Sequence, residues 1–425
     1  MIGLFCAAII ATTVTAQAQT FTALHAFTGS GDGGVPYSGL VMDRAGNLYG
    51  TTAFGGPLGS CFDGGGCGTV YKLTHRGSGW VLNTLYSFRG GQDGAFPASR
   101  VIIGPDGNLY GTTAGGGGSN CTGEFYSGCG TVFKLTPHPT VCTAVDCPWI
   151  ETVLYRFTGG ADGANPFLGK LIFDQSGNLY GTTSTGGFTG NSCNTGCGVV
   201  FELSPTQSGW TQTVLHTFTG APDGKEPLGS LTFDSEGNLY GTTALAGHPP
   251  YGGTVYELSP SASGWNETVL VSLNQGYVGN TSPYGGVIFD NAGNLYGTGE
   301  AVYGAVWELM PGSGGWTLNT LYNLPGSADN LGGPYDSLIM DGSGDLYGTT
   351  YAGGTQFFGT AFELSPANGG GWNYTPLHEF GVYDCGTDGC DPIGGLVQDA
   401  NGNLYGTAST GGTNDYGVIF EITPQ

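Results

Sequence analysis

Short apolar runs separated by glycine, asparagine and proline recur along this chain at long, nearly regular intervals. In one stretch, Lys170-Leu171-Ile172-Phe173-Asp174 is followed by the turn Gln175-Ser176-Gly177, and Asn178-Leu179-Tyr180-Gly181-Thr182-Thr183 forms a second run. A glycine-rich loop leads to a third, Gly198-Val199-Val200-Phe201-Glu202-Leu203. A turn at Ser204-Pro205 leads to a fourth, Trp210 to Phe218. Runs of about five residues bounded by turn residues predict antiparallel strands, and no segment beyond the N-terminus carries a helical period. Asn-Leu-Tyr-Gly occurs at Asn47, Asn108, Asn178, Asn238, Asn294 and Asn403, with a seventh near-copy at Asp345. The seven tyrosines are spaced 61, 70, 60, 56, 51 and 58 residues apart.

Seven four-stranded units of this length predict an all-β, seven-bladed β-propeller forming a single domain over residues 19–425. A solenoid fits less well, because the period is long for one coil. The chain opens at Phe21 to Phe27 with a run of the outermost type, and Gly417 to Ile422 is a third strand without a fourth. The N-terminal strand is therefore expected to complete the last blade and remove an open edge. An apolar stretch from Ile2 to about Val14, followed by Ala16-Gln17-Ala18, reads as a signal peptide over residues 1–18.

Composition adds the compartment. Beyond the signal, ten cysteines form five close pairs: Cys61 with Cys67, Cys121 with Cys129, Cys142 with Cys147, Cys193 with Cys197, and Cys385 with Cys390. Local disulfides in a secreted protein, extracellular or periplasmic, are the economical reading, with zinc at Cys193 and Cys197 the competitor. Residues 1–225 hold all nine Lys and Arg against twelve Asp and Glu, whereas residues 226–425 hold twenty Asp and Glu and no Lys or Arg. Such a surface disfavours nucleic acid and anionic membranes, and a monomer without membrane insertion is expected.

Candidate chemistry is sparse. The Asp-x-x-Gly-Asn element (Asp43, Gly46, Asn47) invites calcium, but one Asp per turn reads better as a side-chain cap. The Asp-Gly-x-x-Pro element at Asp93, Asp162, Asp223 and Asp388, with variants at Asp32 and Asp329, offers either turns or an acidic ring at the channel mouth. Tyr37, Phe167, Tyr284 and Tyr335 follow the proline, where rings can stack on sugars or pack between blades. His25, His216 and His378 replace the tyrosines of sister units, the other histidines are scattered, and Trp307 breaks the third-strand pattern. Neither a nucleophile elbow nor a His-Glu-x-x-His motif occurs.

The succession D-x-x-G-N-L-Y-G-T-T, a Gly-Gly loop and G-T-V-F-x-L resembles the GloVer tandem repeat of bacterial surface and secreted proteins, over residues 21–425. The resemblance implies export and repeats but no catalytic residues. The leading expectation is a non-enzymatic module that binds a glycan or protein through Tyr284, Tyr335, Asp329 and Trp307, near the short loop of the fifth unit. The alternatives are a metal-assisted polysaccharide lyase or hydrolase at the channel mouth, and a calcium-stabilised envelope protein.

Overall fold

The computed structural model describes residues 19–57, 61, 65–118, 121, 127–138, 148–190, 192–246, 252–273, 282–299, 304–325, 333–381 and 385–423. The expected signal peptide, Asp329, and the expected pair of Cys142 and Cys147 lie outside these residues.

Seven four-stranded antiparallel sheets form a propeller. In the third blade the strands are Ile172–Phe173, Leu179–Thr183, Val199–Thr206 and Gly209–Thr217, ordered from the axis outward. Thr20–Ala26 pairs with Val418–Thr423, so the N-terminal strand completes the seventh blade as expected. The strands differ from the uniform five residues expected of them: the inner strand pairs over only two residues, while the outer strand reaches nine. Space explains the gradient, because seven inner strands converge on one axis and the outer strands diverge from it. The third-to-outer pairing is bulged at the same place in successive blades, between Val200 and Phe201 in the third. One outer-strand residue, here Leu215, is thereby left unpaired and turned into the core.

The repeated tetrad is scaffold. In the first blade Leu48 is fully buried, and a side chain at Gly50 would lie 2.6 Å from the Tyr71 ring and closer still to its hydroxyl. Glycine is needed there because the third-strand aromatic lies across the second strand. The tetrad's Asn and Tyr both serve the hairpin. Asp43 Oδ1 accepts from the backbone N–H of Ala45 and Asn47, and Oδ2 accepts from Asn47 Nδ2 (2.7 Å) and Tyr49 Oη (3.0 Å). In the second blade, where Gly104 replaces this Asp, Asp106 takes both side-chain bonds instead. Tryptophans that open the outer strands pack edge-on against the tetrad tyrosine of the preceding blade, as Trp265 does on Tyr180 and Trp80 on Tyr405. These contacts, with a buried apolar cluster at each blade junction, join the ring.

Candidate ligand site at the central channel

The residue that follows the inter-blade proline, or the next one in the third unit, comes to the axis in every blade. Tyr37, Ala98, Leu168, Leu228, Tyr284, Tyr335 and Ile393 surround a cavity of only 10 Å³, so this end of the channel is nearly closed. Three of the seven are tyrosines. Tyr284 and Tyr335 stack with centroids 4.5 Å apart and planes 17° from parallel, and Tyr351 meets Tyr335 edge-on at 5.3 Å. Burial pushes the Tyr37 phenol up, helped by Tyr351 and Asp391 beside it.

Beneath this aromatic layer sit three charges. Arg100 Nη2 donates to Asp336 Oδ2 at 3.0 Å, and the N–H groups of Gly395 (2.8 Å) and Ser337 (2.6 Å) donate to the same carboxylate. The arrangement depends on small neighbours, since a side chain at Gly39 would lie 2.1 Å from Arg100 Nη2. Burial works to raise the Asp336 carboxyl, but Arg100 and the two N–H groups outweigh it and hold it below the ordinary range. Lys170 shares the chamber. Burial pushes its amine down, Arg100 adds to the effect, and Asp336 opposes it. Arg100, Lys170 and Asp336 line a cavity of 330 Å³ that runs along the inner strands of blades five and six, past Val287–Phe289 and Leu338–Met340. Because the inner strands lead toward the Asp-x-x-Gly turns, this cavity extends to the face opposite the tyrosines.

The structure brings Tyr284 and Tyr335 together and separates Trp307 from them. Trp307 is 3% exposed and packs with Val255, Leu273 and Leu295 at the junction of blades four and five. It fills the third-strand aromatic slot, where a side chain at Gly297 would lie 2.3 Å from its ring. It therefore belongs to the core and not to a ligand surface. The short second-to-third loop of the fifth unit falls outside the described residues.

Of the two readings of the Asp-Gly-x-x-Pro aspartates, the structure bears out the turn and not the acidic ring at the mouth. Asp93 accepts from Tyr86 Oη at 3.1 Å and from the N–H of Arg89 at 3.0 Å. Asp162, Asp223, Asp388 and Asp32 bond in the same way to Tyr155, His216, His378 and His25. Each aspartate caps the turn that leaves an outer strand, so these residues stay near the perimeter. The calcium reading of the hairpin fares no better on donor chemistry. In the third turn the one carboxylate, Asp174, already accepts from the turn through both oxygens, and no turn of this kind offers more than two carboxylates, whereas calcium takes six to eight oxygens.

Arg100, Lys170 and Asp336 were missed as site residues. A signal existed: three or four positions after the inter-blade proline the units carry Gly39, Ser230, Gly286, Ser337 and Gly395, and only Arg100 and Lys170 depart from small residues.

Four disulfides, Cys61–Cys67, Cys121–Cys129, Cys193–Cys197 and Cys385–Cys390, match the expected pairing and remove Cys193 and Cys197 from zinc. The fifth expected bridge is not among them, because Cys142 and Cys147 both fall in the segment 139–147, outside the described residues. The four bridges mark a protein made for an oxidising, non-cytoplasmic compartment.

Fold and channel together define a disulfide-stapled, seven-bladed β-propeller closed by its own N-terminal strand. The chain belongs to the Gloeobacter/Verrucomicrobia repeat family, whose model matches residues 10–187, 128–300 and 252–425. No curated protein shows a significant sequence match. Among solved structures, the chain is similar to the extracellular domain of BT4673 from B. thetaiotaomicron, provisionally described as a one-component system. The TM-score is 0.53 at 11% identity, covering 95% of this chain and 40% of that one. PorZ, a surface component of the type-IX secretion system of Porphyromonas gingivalis, gives 0.49 at 14% identity over 91% and 46%. A provisionally assigned 6-phosphogluconolactonase from Bacteroides fragilis NCTC 9343 gives 0.48 at 13% identity over 91% and 98%. The chain thus spans under half the length of two of these proteins. The likeness to the BT4673 domain shows a shared fold alone.

Proposed function

We propose that this propeller is an exported, non-enzymatic binding module that takes a glycan at the tyrosine-lined end of its channel. The observation that carries the reading is the Tyr284–Tyr335 stack, placed on the axis and extended by Tyr351. Parallel phenol rings offer a flat apolar face of the kind that packs on the C–H face of a sugar, with hydroxyls at the rim for hydrogen bonds. Disulfides and a cation-poor surface suit a protein working outside the cytoplasm.

The test is a glycan array followed by calorimetry on the best binder. The double variant Tyr284→Ala/Tyr335→Ala is expected to fold and lose binding. Unchanged binding by the folded double variant removes the site, and a protein partner captured in place of any glycan turns the reading toward protein recognition.

Lys170 gives the enzymatic reading one specific support. An amine held below its ordinary range beside Arg100 and Asp336 has the character of a general base that could abstract a proton from an acidic sugar. Turnover of a polyuronide that disappears in Lys170→Met would replace the binding reading with this one.

A further inference from the structure

The turn aspartates at the perimeter form a repeated pair with an outer-strand ring, and the next blade's outer strand sets one more residue against it. Beside Tyr155–Asp162 that residue is Gln212, whose amide donates to the Asp162 carbonyl; at His378–Asp388 it is the Phe21 ring, stacked on the imidazole. In two places it is a glutamate: Glu151 beside Tyr86–Asp93, and Glu267 beside His216–Asp223. Among the described residues, only the junction of blades three and four joins a His, an Asp and a Glu with ligand atoms all within 4.8 Å of one another.

We propose that His216 Nε2, Asp223 Oδ1 and the Glu267 carboxylate bind one divalent transition-metal ion of the zinc type, joining the outer strands of blades three and four. Two of the three ligands are already oriented. The backbone N–H and hydroxyl of Thr219 donate to Asp223 Oδ2 at 2.6 and 2.8 Å, which leaves Oδ1 facing His216 Nε2 at 2.9 Å. Phe218 holds the imidazole edge-to-face, with centroids 4.7 Å apart. The third ligand is a buried oxygen without a hydrogen bond, Glu267 Oε1, in a fold that satisfies most such atoms.

The geometry suits a small ion. Zinc bonds of about 2.0–2.2 Å at tetrahedral angles place donor atoms roughly 3.4 Å apart. His216 and Asp223, 2.9 Å apart, open by about 0.5 Å, and Glu267, within 4.8 Å of both, closes by at most about 1.4 Å, both within the range of their side-chain torsions. One imidazole with two carboxylates matches zinc and its neighbours better than calcium, which needs more oxygens. The ion replaces the hydrogen shared by His216 and Asp223, protons are released to solvent, and water completes the coordination. A chain of net charge −23 attracts the cation electrostatically.

The repeat supplies its own control. Tyr86–Asp93–Glu151 reproduces the arrangement with a phenol, which burial and then Asp93 push well above its ordinary range and which stays protonated at neutral pH. His216→Tyr therefore installs a side chain that a sister blade already accommodates, and Tyr86→His should create a second site.

Zinc chloride titrated into the fully oxidised chain by calorimetry at neutral pH, paired with thermal unfolding, tests this. One saturable site and a raised melting temperature are expected. His216→Tyr should keep the metal-free melting temperature and lose the site, and Tyr86→His should bind two ions. A wild-type chain with no saturable site, a His216→Tyr chain that binds zinc unchanged, or a Tyr86→His chain that still binds one ion overturns the assignment.

Discussion

Arg100 Nη2 lies 3.0 Å from Asp336 Oδ2 although 236 positions separate the two residues. One comes from the half of the chain that holds every cation, and the other from the half that holds none. Closing the ring brings them to the axis, where Lys170 adds a second positive group. Removing Asp336 leaves two cationic side chains in the channel without their counter-charge. Asp336→Ala is therefore expected to cost about 3 kcal/mol, whereas replacing both partners, Arg100→Met with Asp336→Leu, should cost far less. A double-mutant cycle by denaturant unfolding measures the difference, and additive effects would show that the pair is not coupled. Asp336 also sets an acid limit. Its folded value is depressed, so its contribution is present above the ordinary 3.8 and is lost as pH falls toward the folded value.

Trp307 separates packing from recognition. Truncation to alanine in a fully packed blade junction should cost about 3–5 kcal/mol. Trp307→Phe should cost under about 1.5 kcal/mol, because Phe133, Phe201, Phe362 and Phe420 fill the same slot in other blades, and the change also deletes an indole N–H that has no partner. Glycan affinity is expected to be unchanged in Trp307→Phe. A loss of affinity in that folded variant would return Trp307 to the site.

What was legible in the sequence follows from what repeats. Asn47, Leu48, Tyr49 and Gly50 recur because each makes a bond or contact within its own blade or the next, and local spacing records such contacts. Strand order and ring closure followed from the phase of the two ends. Of the channel, Tyr284 and Tyr335 were legible, and the departure of Arg100 and Lys170 from small residues was there to be read; their meeting with Asp336 was not, because it arises only through the symmetry of the closed ring. The inter-blade aspartates sit in turns, as one of their two readings has it, but the choice between turn and ring could not be closed from spacing. Asp93 bonds to Tyr86 seven residues earlier, and spacing alone does not tell whether an inter-blade turn stays with the perimeter strand it leaves or the axial strand it enters.

The seventh variation of the tetrad gives a direct stability test. In five units the tetrad Asn donates Nδ2 to the carboxylate that opens the turn, at 2.7 to 3.0 Å. The sixth unit has Asp345, which faces Asp341 and cannot donate when ionised. Burial and then Asp341 push Asp345 above its ordinary range. Asp345→Asn should restore the bond and remove the repulsion, a gain of about 1 kcal/mol. For a chain this long the melting temperature rises by only about 1 °C, so denaturant midpoints are the better measurement. A midpoint unchanged or lowered at neutral pH would show that the sixth hairpin is held differently from its sisters.

Glu151 carries a pH dependence of the opposite sign to Asp336. Burial and then Asp93 raise its carboxyl from 4.5 to about 7. Below about 4.5 the group is protonated in both folded and unfolded chains and costs nothing. Between 4.5 and about 7 the unfolded chain ionises while the folded chain still holds the proton, so stability falls as pH rises. Above about 7 the folded chain carries a carboxylate beside Asp93, with one oxygen buried and without a hydrogen bond. Glu151→Gln removes the charge while keeping the shape. The variant should match the wild type at pH below 4.5, gain stability progressively through the window, and hold a constant advantage above it. Solvent reaching the rim reduces the gain below what full burial would give, to on the order of 1 kcal/mol. Unfolding midpoints of the two chains across that range decide the matter. Parallel curves would mean that Glu151 titrates alike in both states, and that Asp93 exerts no net repulsion on it.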